Sequence, residues 1–164
     1  MPANYGVGLA WWTTRSLTLA ADVPRIEFSE VQSVGNSPGL LCSGHPFGTL
    51  NGGGFGWKDV TVVNVGVRYV LNDGTLQAGY SHARQPIPQD QTIPNILAPG
   101  VVPDHLRLGA TWRQGKSGEL SLADTHGFKK TVNGSGSIPN AYGGGEADIP
   151  LAEEILGIAY GSTV

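Results

Sequence analysis

The stretch from Trp57 to Pro88, WKDVTVVNVGVRYVLNDGTLQAGYSHARQPIP, decides how this chain is read. Its odd positions run Thr61, Val63, Val65, Val67, Tyr69 and Leu71, while Asn64, Gly66 and Arg68 stand between them. A period of two predicts a strand whose two faces meet different surroundings. Asn72-Asp73-Gly74 then offers residues that tolerate positive φ, the chemistry of a short hairpin turn. Beyond it Leu76, Ala78 and Tyr80 alternate with Gln77, Gly79 and Ser81. The stretch reads as a β-hairpin with one apolar face.

The same pattern continues outward in both directions. Towards the N-terminus, Tyr5, Val7, Leu9 and Trp11 alternate with Gly6, Gly8, Ala10 and Trp12, and Thr13 to Ser16 makes a short turn. Leu17, Leu19, Ala21 and Val23 follow, until Pro24 removes a backbone donor and predicts a bulge or an edge. Residues 30–56 form a long Gly/Ser/Pro-rich loop. After the hairpin comes a second long connection, 85–103, with five prolines. Leu106, Leu108, Ala110 and Trp112 then face one way, and His105, Arg107, Gly109, Thr111 and Arg113 the other. A short turn at 114–118 leads to Leu120 and Leu122, a third long loop covers 132–148, and Leu156, Ile158 and Tyr160 mark a last strand.

Short and long connections therefore alternate. In an up-and-down meander this gathers short turns at one end and long loops at the other, as in transmembrane barrels. Trp11, Tyr69, Trp112 and Tyr160 lie on the apolar face near the short-turn end, where a membrane girdle belongs. The competing architecture is a soluble sandwich or barrel whose apolar face is core. Against it stands the opposite face, which carries Asn64, Arg68, Gln77, His105 and Arg107 among Gly, Ala, Ser and Thr and suits a lumen. The fold expected is all-β, an antiparallel meander of about seven strands forming a partial transmembrane barrel, with residues 1–164 as a single partial domain.

Composition agrees and excludes much else. Only 14% of residues are charged and 25 of 164 are glycine, which disfavours long helices. A net charge of −3 argues against a nucleic-acid footprint. The lone Cys42 excludes an internal disulfide, and His45, His82, His105 and His126 lack metal-ligand spacing, so neither a metal nor another cofactor is expected. Gly35-Asn36-Ser37-Pro38-Gly39 fits the serine-hydrolase string G-x-S-x-G, but it lies in a loop where Pro38 blocks the required helix start. An enzyme is not expected. Asn133-Gly134-Ser135 reads as turn chemistry rather than a glycosylation site.

Several segments carry a resemblance. GWKDVTVVNVGVRYVLNDGTLQAGYSHARQPIP, NILAPGVVPDHLRLGATW, FKKTVNGSGSIP and the earlier LTLAADVPRIEFSEVQSVGN are similar to the C-terminal half of the FadL/TodX family. These are outer-membrane transporters of long-chain fatty acids and aromatic hydrocarbons. The resemblance implies a fourteen-stranded barrel plugged by an N-terminal hatch. It also implies capture of hydrophobic substrates near the external loops and their sideways release into the membrane. The partners expected are a hydrophobic small molecule, outer-membrane lipid, and either the missing N-terminal half of the barrel or a second copy. A bacterial outer-membrane location is expected, although no signal peptide is read at the N-terminus.

Three features depart from the family. Seven strands cannot close its barrel, so the chain is expected to be a fragment unless two copies pair their edges. Asp124 falls in lipid-facing register after Leu120 and Leu122, where a carboxylate is unfavourable. The chain ends on Val164 rather than on a terminal aromatic.

Within the lumen, Arg68, His105 and Arg107, with Asn64 and Gln77, are the candidate ligand-binding residues, since a guanidinium binds a carboxylate bidentately. The alternative is that they solvate a polar interior. Ile93, Ile96, Leu97, Val101 and Val102 form an apolar loop patch that either receives a hydrophobic ligand or packs onto the rim. The competing function is a non-transporting structural or adhesive outer-membrane barrel.

Overall fold

A computed structural model describes residues 1–49, 51–115, 117–140 and 143–162. Seven strands form one antiparallel sheet in sequential order. They are β1 (Ala3–Trp12), β2 (Leu17–Glu27), β3 (Val60–Val70), β4 (Gly74–Ala83), β5 (Asp104–Gln114), β6 (Gly118–Val132) and β7 (Ile149–Ser162). The meander is as expected, and β1 and β7 are its free edges.

Register joins the alternating residues into continuous faces. Across one face run Leu9, Ala21, Val65, Tyr80, Leu106 and His126; the neighbouring row joins Trp11, Leu19, Val67, Ala78 and Leu108. Its apolar side chains are bare: Val7 is 77% exposed, Leu108 50% and Ile158 79%. A soluble sandwich would cover them, because bare apolar area of this extent is unfavourable in water.

The long loops pack against the loop end of the other face. Val60 and Ser81, both on that side at the loop end, are buried. A small core of Ile87, Val101, Val132 and Ile149 forms there, with Trp57 and Leu151 packed against it. The hub is Asn95. Its Oδ1 accepts a hydrogen bond from the Trp57 indole (2.5 Å), and its amide donates to the Phe55 and Gln91 carbonyls (2.7 Å each). A fully buried asparagine needs such a full set of partners. Trp57 also meets Phe28 edge-on at 5.0 Å. The loops thus make a folded cap containing two four-residue helices, α1 (Gln32–Gly35) and α2 (Thr92–Asn95).

Two turn expectations need correction. Pro24 makes neither bulge nor edge: Gly6 pairs with it in unbroken register. On the other side the β2–β3 ladder lapses at Val23 and Pro24 and resumes at Arg25↔Thr61 without a shift. A residue without an N–H interrupts a ladder without displacing it. Asn72, Asp73 and Gly74 do not adopt positive φ; among described non-glycine residues only Asn51 does. Gly74 serves a different need, because a Cβ there would stand 2.4 Å from the Thr111 carbonyl oxygen. Its absence lets β4 and β5 approach.

The real bulge is elsewhere. Register between β6 and β7 shifts from Gly127↔Glu153 to Lys130↔Leu151. β6 runs to Val132 and β7 begins at Ile149, both longer than the alternation alone predicts.

Candidate functional site

The covered face carries the polar candidates in ordered rows. One row joins Gly8, Asp22, Asn64, Ser81, His105, Gly127 and Glu153 across all seven strands. Within it the Asn64 amide donates to Asp22 Oδ1 (2.7 Å), and His105 Nε2 lies 3.6 Å from Glu153 Oε2. The next row towards the turns holds Ala20, Gly66, Gly79, Arg107 and Thr125. The row after that holds Thr18, Arg68, Gln77, Gly109 and Ala123.

These rows enclose an open concavity of about 490 Å³. Its floor is mostly backbone, because Ala20, Gly66, Gly79, Gly109 and Ala123 present little or no side chain. Arg68 and Arg107 stand on it from β3 and β5, on either side of β4. Arg107 donates one hydrogen bond, to Ser81 Oγ at 3.2 Å. Arg68 has no hydrogen-bond or ion-pair partner among the described residues. The nearby acids are engaged, Asp22 with Asn64 and Glu153 with His105. Two guanidiniums thus keep most of their donors free beside an apolar ledge, an arrangement that suits an anion with an apolar body.

The expected loop patch divides. Val101 is fully buried in the cap, and Val102 is half-buried where its Cγ1 would lie 3.1 Å from a Cβ on Gly127. Ile93, Ile96 and Leu97 are exposed, Leu97 at 84%. Trp11, Tyr69, Trp112 and Tyr160 all lie bare on the apolar face near the turn end. Nearer the loop end of that face stand Tyr5 and Tyr80, their hydroxyls donating to Glu27 (2.9 Å) and Asp104.

Asp124 sits on the apolar face between Leu108 and Leu156, with Oδ1 lacking a hydrogen-bond partner. Ser37 is no nucleophile elbow. It caps the 3₁₀ turn Pro38–Ser43, its Oγ accepting from the Gly39 amide at 3.1 Å, and α1 rather than a strand precedes it.

At the base of the cap, Asp59 accepts hydrogen bonds from the Ser29 hydroxyl (2.7 Å) and amide (3.0 Å) and lies 3.1 Å from Arg25. The Ser29 hydroxyl, then its amide, holds the Asp59 carboxyl below the usual range, with Arg25 adding to the effect.

No family model matches the chain, and no curated protein matches its sequence. Solved structures do match its fold. A Pseudomonas aeruginosa FadL homologue aligns with a TM-score of 0.65 at 19% identity, over 97% of this chain and 34% of that one. The P. putida toluene transporter TodX aligns with 0.62 at 21%, over 99% and 35%. The Ralstonia pickettii toluene transporter TbuX aligns with 0.55 at 18%, over 99% and 33%. The chain spans about a third of the length of these structures and has the fold of that part of them.

Proposed function

We propose that the chain is part of an outer-membrane transporter of hydrophobic compounds, of the FadL/TodX kind, and that the Arg68–Arg107 ledge receives a hydrophobic acid. The observation that carries this is the inversion of the sheet. Its apolar face is bare, while the opposite face holds two arginines with donors to spare and has the loops packed at its far end. That is the layout of a wall with lipid outside and a guarded lumen inside. Of the solved structures of the same fold, two are toluene transporters and one is a FadL homologue. A path lined by apolar patches carries such solutes across a layer that a water-filled pore does not help them cross.

Strand direction supports a particular partner. β1, β3, β5 and β7 all run from the loop end to the turn end, so both free edges run the same way. Antiparallel closure requires a neighbour of opposite direction at each edge, hence an odd number of added strands. A second copy in the same orientation would meet β7 with β1 in parallel. The edges therefore suit the missing half of a barrel better than a duplicate of this chain.

The test is uptake by cells expressing the complete natural polypeptide that carries this chain. Replacing Arg68 and Arg107 together by Ala is expected to lower uptake of a hydrophobic acid about tenfold or more, the loss of two charge-assisted contacts. Uptake of an uncharged hydrocarbon should hold. Equal losses for both would remove the carboxylate role, and no uptake by the unaltered protein would remove the transport reading.

A further inference from the structure

The loop-side end of the sheet is fastened differently on its two halves. At the base of the first long loop Arg25 bridges to Asp59 at 3.1 Å and to Glu27 at 3.9 Å. From β4 to β7 every ion pair among the described residues uses a histidine instead. His82 pairs with Asp104 at 2.7 Å, His105 with Glu153 at 3.6 Å and His126 with Glu154 at 2.6 Å.

The last two pairs act on one short segment. Glu153 and Glu154 are consecutive on edge strand β7 and so point to opposite faces. Glu153 meets His105 on the covered face; Glu154 meets His126 on the bare one. His105 belongs to β5, and it reaches β7 only because β6 carries Gly127 between them. A Cβ on Gly127 would lie 3.0 Å from Glu153 Cβ and 3.4 Å from His105 Cδ2. The β6–β7 bulge begins at this same glycine. At a bulge the ladder is locally interrupted, so side-chain contacts there matter more to how the strand is held.

We propose that His105–Glu153 and His126–Glu154 form a proton-dependent clasp that holds the loop-side half of β7 from both faces. Two further charged groups stand near: Asp124 hydrogen-bonds with Glu154, and Lys130, opposite Leu151, lies within reach of Asp104. Ser81 from β4 and Gly127 from β6 flank His105 in register, Arg107 shares its strand and face, and Val102 lies close by. Around His126 stand Leu106 from β5, Glu154 from β7, and Asp124 and Phe128 from its own strand, Phe128 edge-on at 4.8 Å. Asp104 is held by Tyr80 and His82 further along. An ion pair exists only while the imidazole carries its second proton, so the clasp weakens as rising pH removes that proton. It is lost again in strong acid, when the glutamates take up protons. β7 is then held most firmly where the imidazoles are protonated and the glutamates are not, whatever the barrel carries.

Hydrogen exchange on the complete natural polypeptide in phosphatidylcholine vesicles tests this. Protection of residues 151–156, corrected for intrinsic rates and referred to 157–161, is expected to fall about fivefold from about pH 5.5 to about pH 8.5, the scale of partly exposed ion pairs. H105Q/H126Q should flatten that profile. Should that variant not fold, E154Q offers the same readout and is expected to remove about half of the pH response on the logarithmic scale. A wild-type profile without pH dependence would overturn the clasp. So would a folded H105Q/H126Q or E154Q variant that keeps the full response.

Discussion

The strand wall and the loop cap bury their apolar groups in opposite ways. In the wall, valines, leucines and isoleucines alternate outward and stay bare, while glycine, alanine and polar groups turn inward. In the cap, Ile87 and Val101 from one loop are sealed by Trp57 from another and by Val132 and Ile149 from strand ends. The cap obeys the rule for water, apolar inside. The wall obeys the rule for lipid, where hydrocarbon outside is favourable and only backbone pairing must be complete. On the function proposed, one chain folds for two solvents, and the boundary runs along the loop ends of the strands.

The sharpest way to break this contrast is Trp57→Ala. It removes the indole donor to Asn95, the contact with Phe28 and most cover of the cap core. A loss of about 3–5 kcal/mol is expected, typical of a large aromatic taken from a packed site. Amide exchange should rise across the cap while β3–β5 stay protected. Equal loss in the wall would mean that the two regions fold as one.

Next in size is a charge on the bare face. Leu108→Arg is expected to make insertion about 2–4 kcal/mol less favourable, as at the middle of a bilayer. Thr111→Arg, on the opposite face of the same strand, should be tolerated far better. Urea-dependent folding into vesicles measures both. Similar penalties would mean that the apolar face does not meet lipid.

The smallest effect sharpens the boundary itself. The Asp59 carboxyl is held below its ordinary range by Ser29 and Arg25, so it binds its proton less readily in the folded state. Its contribution is complete above the ordinary carboxylate range and is lost as pH falls through the lowered value. Exchange at the Ser29 amide should therefore rise in acid, below about pH 4. Asp59→Asn should remove that dependence; if the variant keeps it, another group holds the base of the cap.

The local pattern settled much of this before any packing was known. Alternation in Thr61–Leu71, Leu76–Ser81 and His105–Arg113 fixed the strands, their inward and outward residues and the alternation of short and long connections. A side-chain period of two leaves no other arrangement with one apolar face. It placed Trp11, Tyr69, Trp112 and Tyr160 on that face, and Arg68 and Arg107 on the other. Resemblance, not periodicity, supplied the transporter family.

Tertiary structure decided the rest, because it rests on groups far apart in sequence. Asn95 is an ordinary polar residue in a proline-rich loop until Trp57 and Phe55 arrive from 40 or so positions away. Val101 reads as ligand-facing or as rim-packing, and only the meeting of two loops with the ends of β6 and β7 buried it. Gly74 looks like a turn residue, yet the approach of Thr111 on the next strand is what requires it. Gly127 gives no signal at all in sequence, and its missing side chain is what lets His105 reach Glu153. A strand's pattern is written every second residue; a contact across strands is written nowhere until register brings its partners to one height.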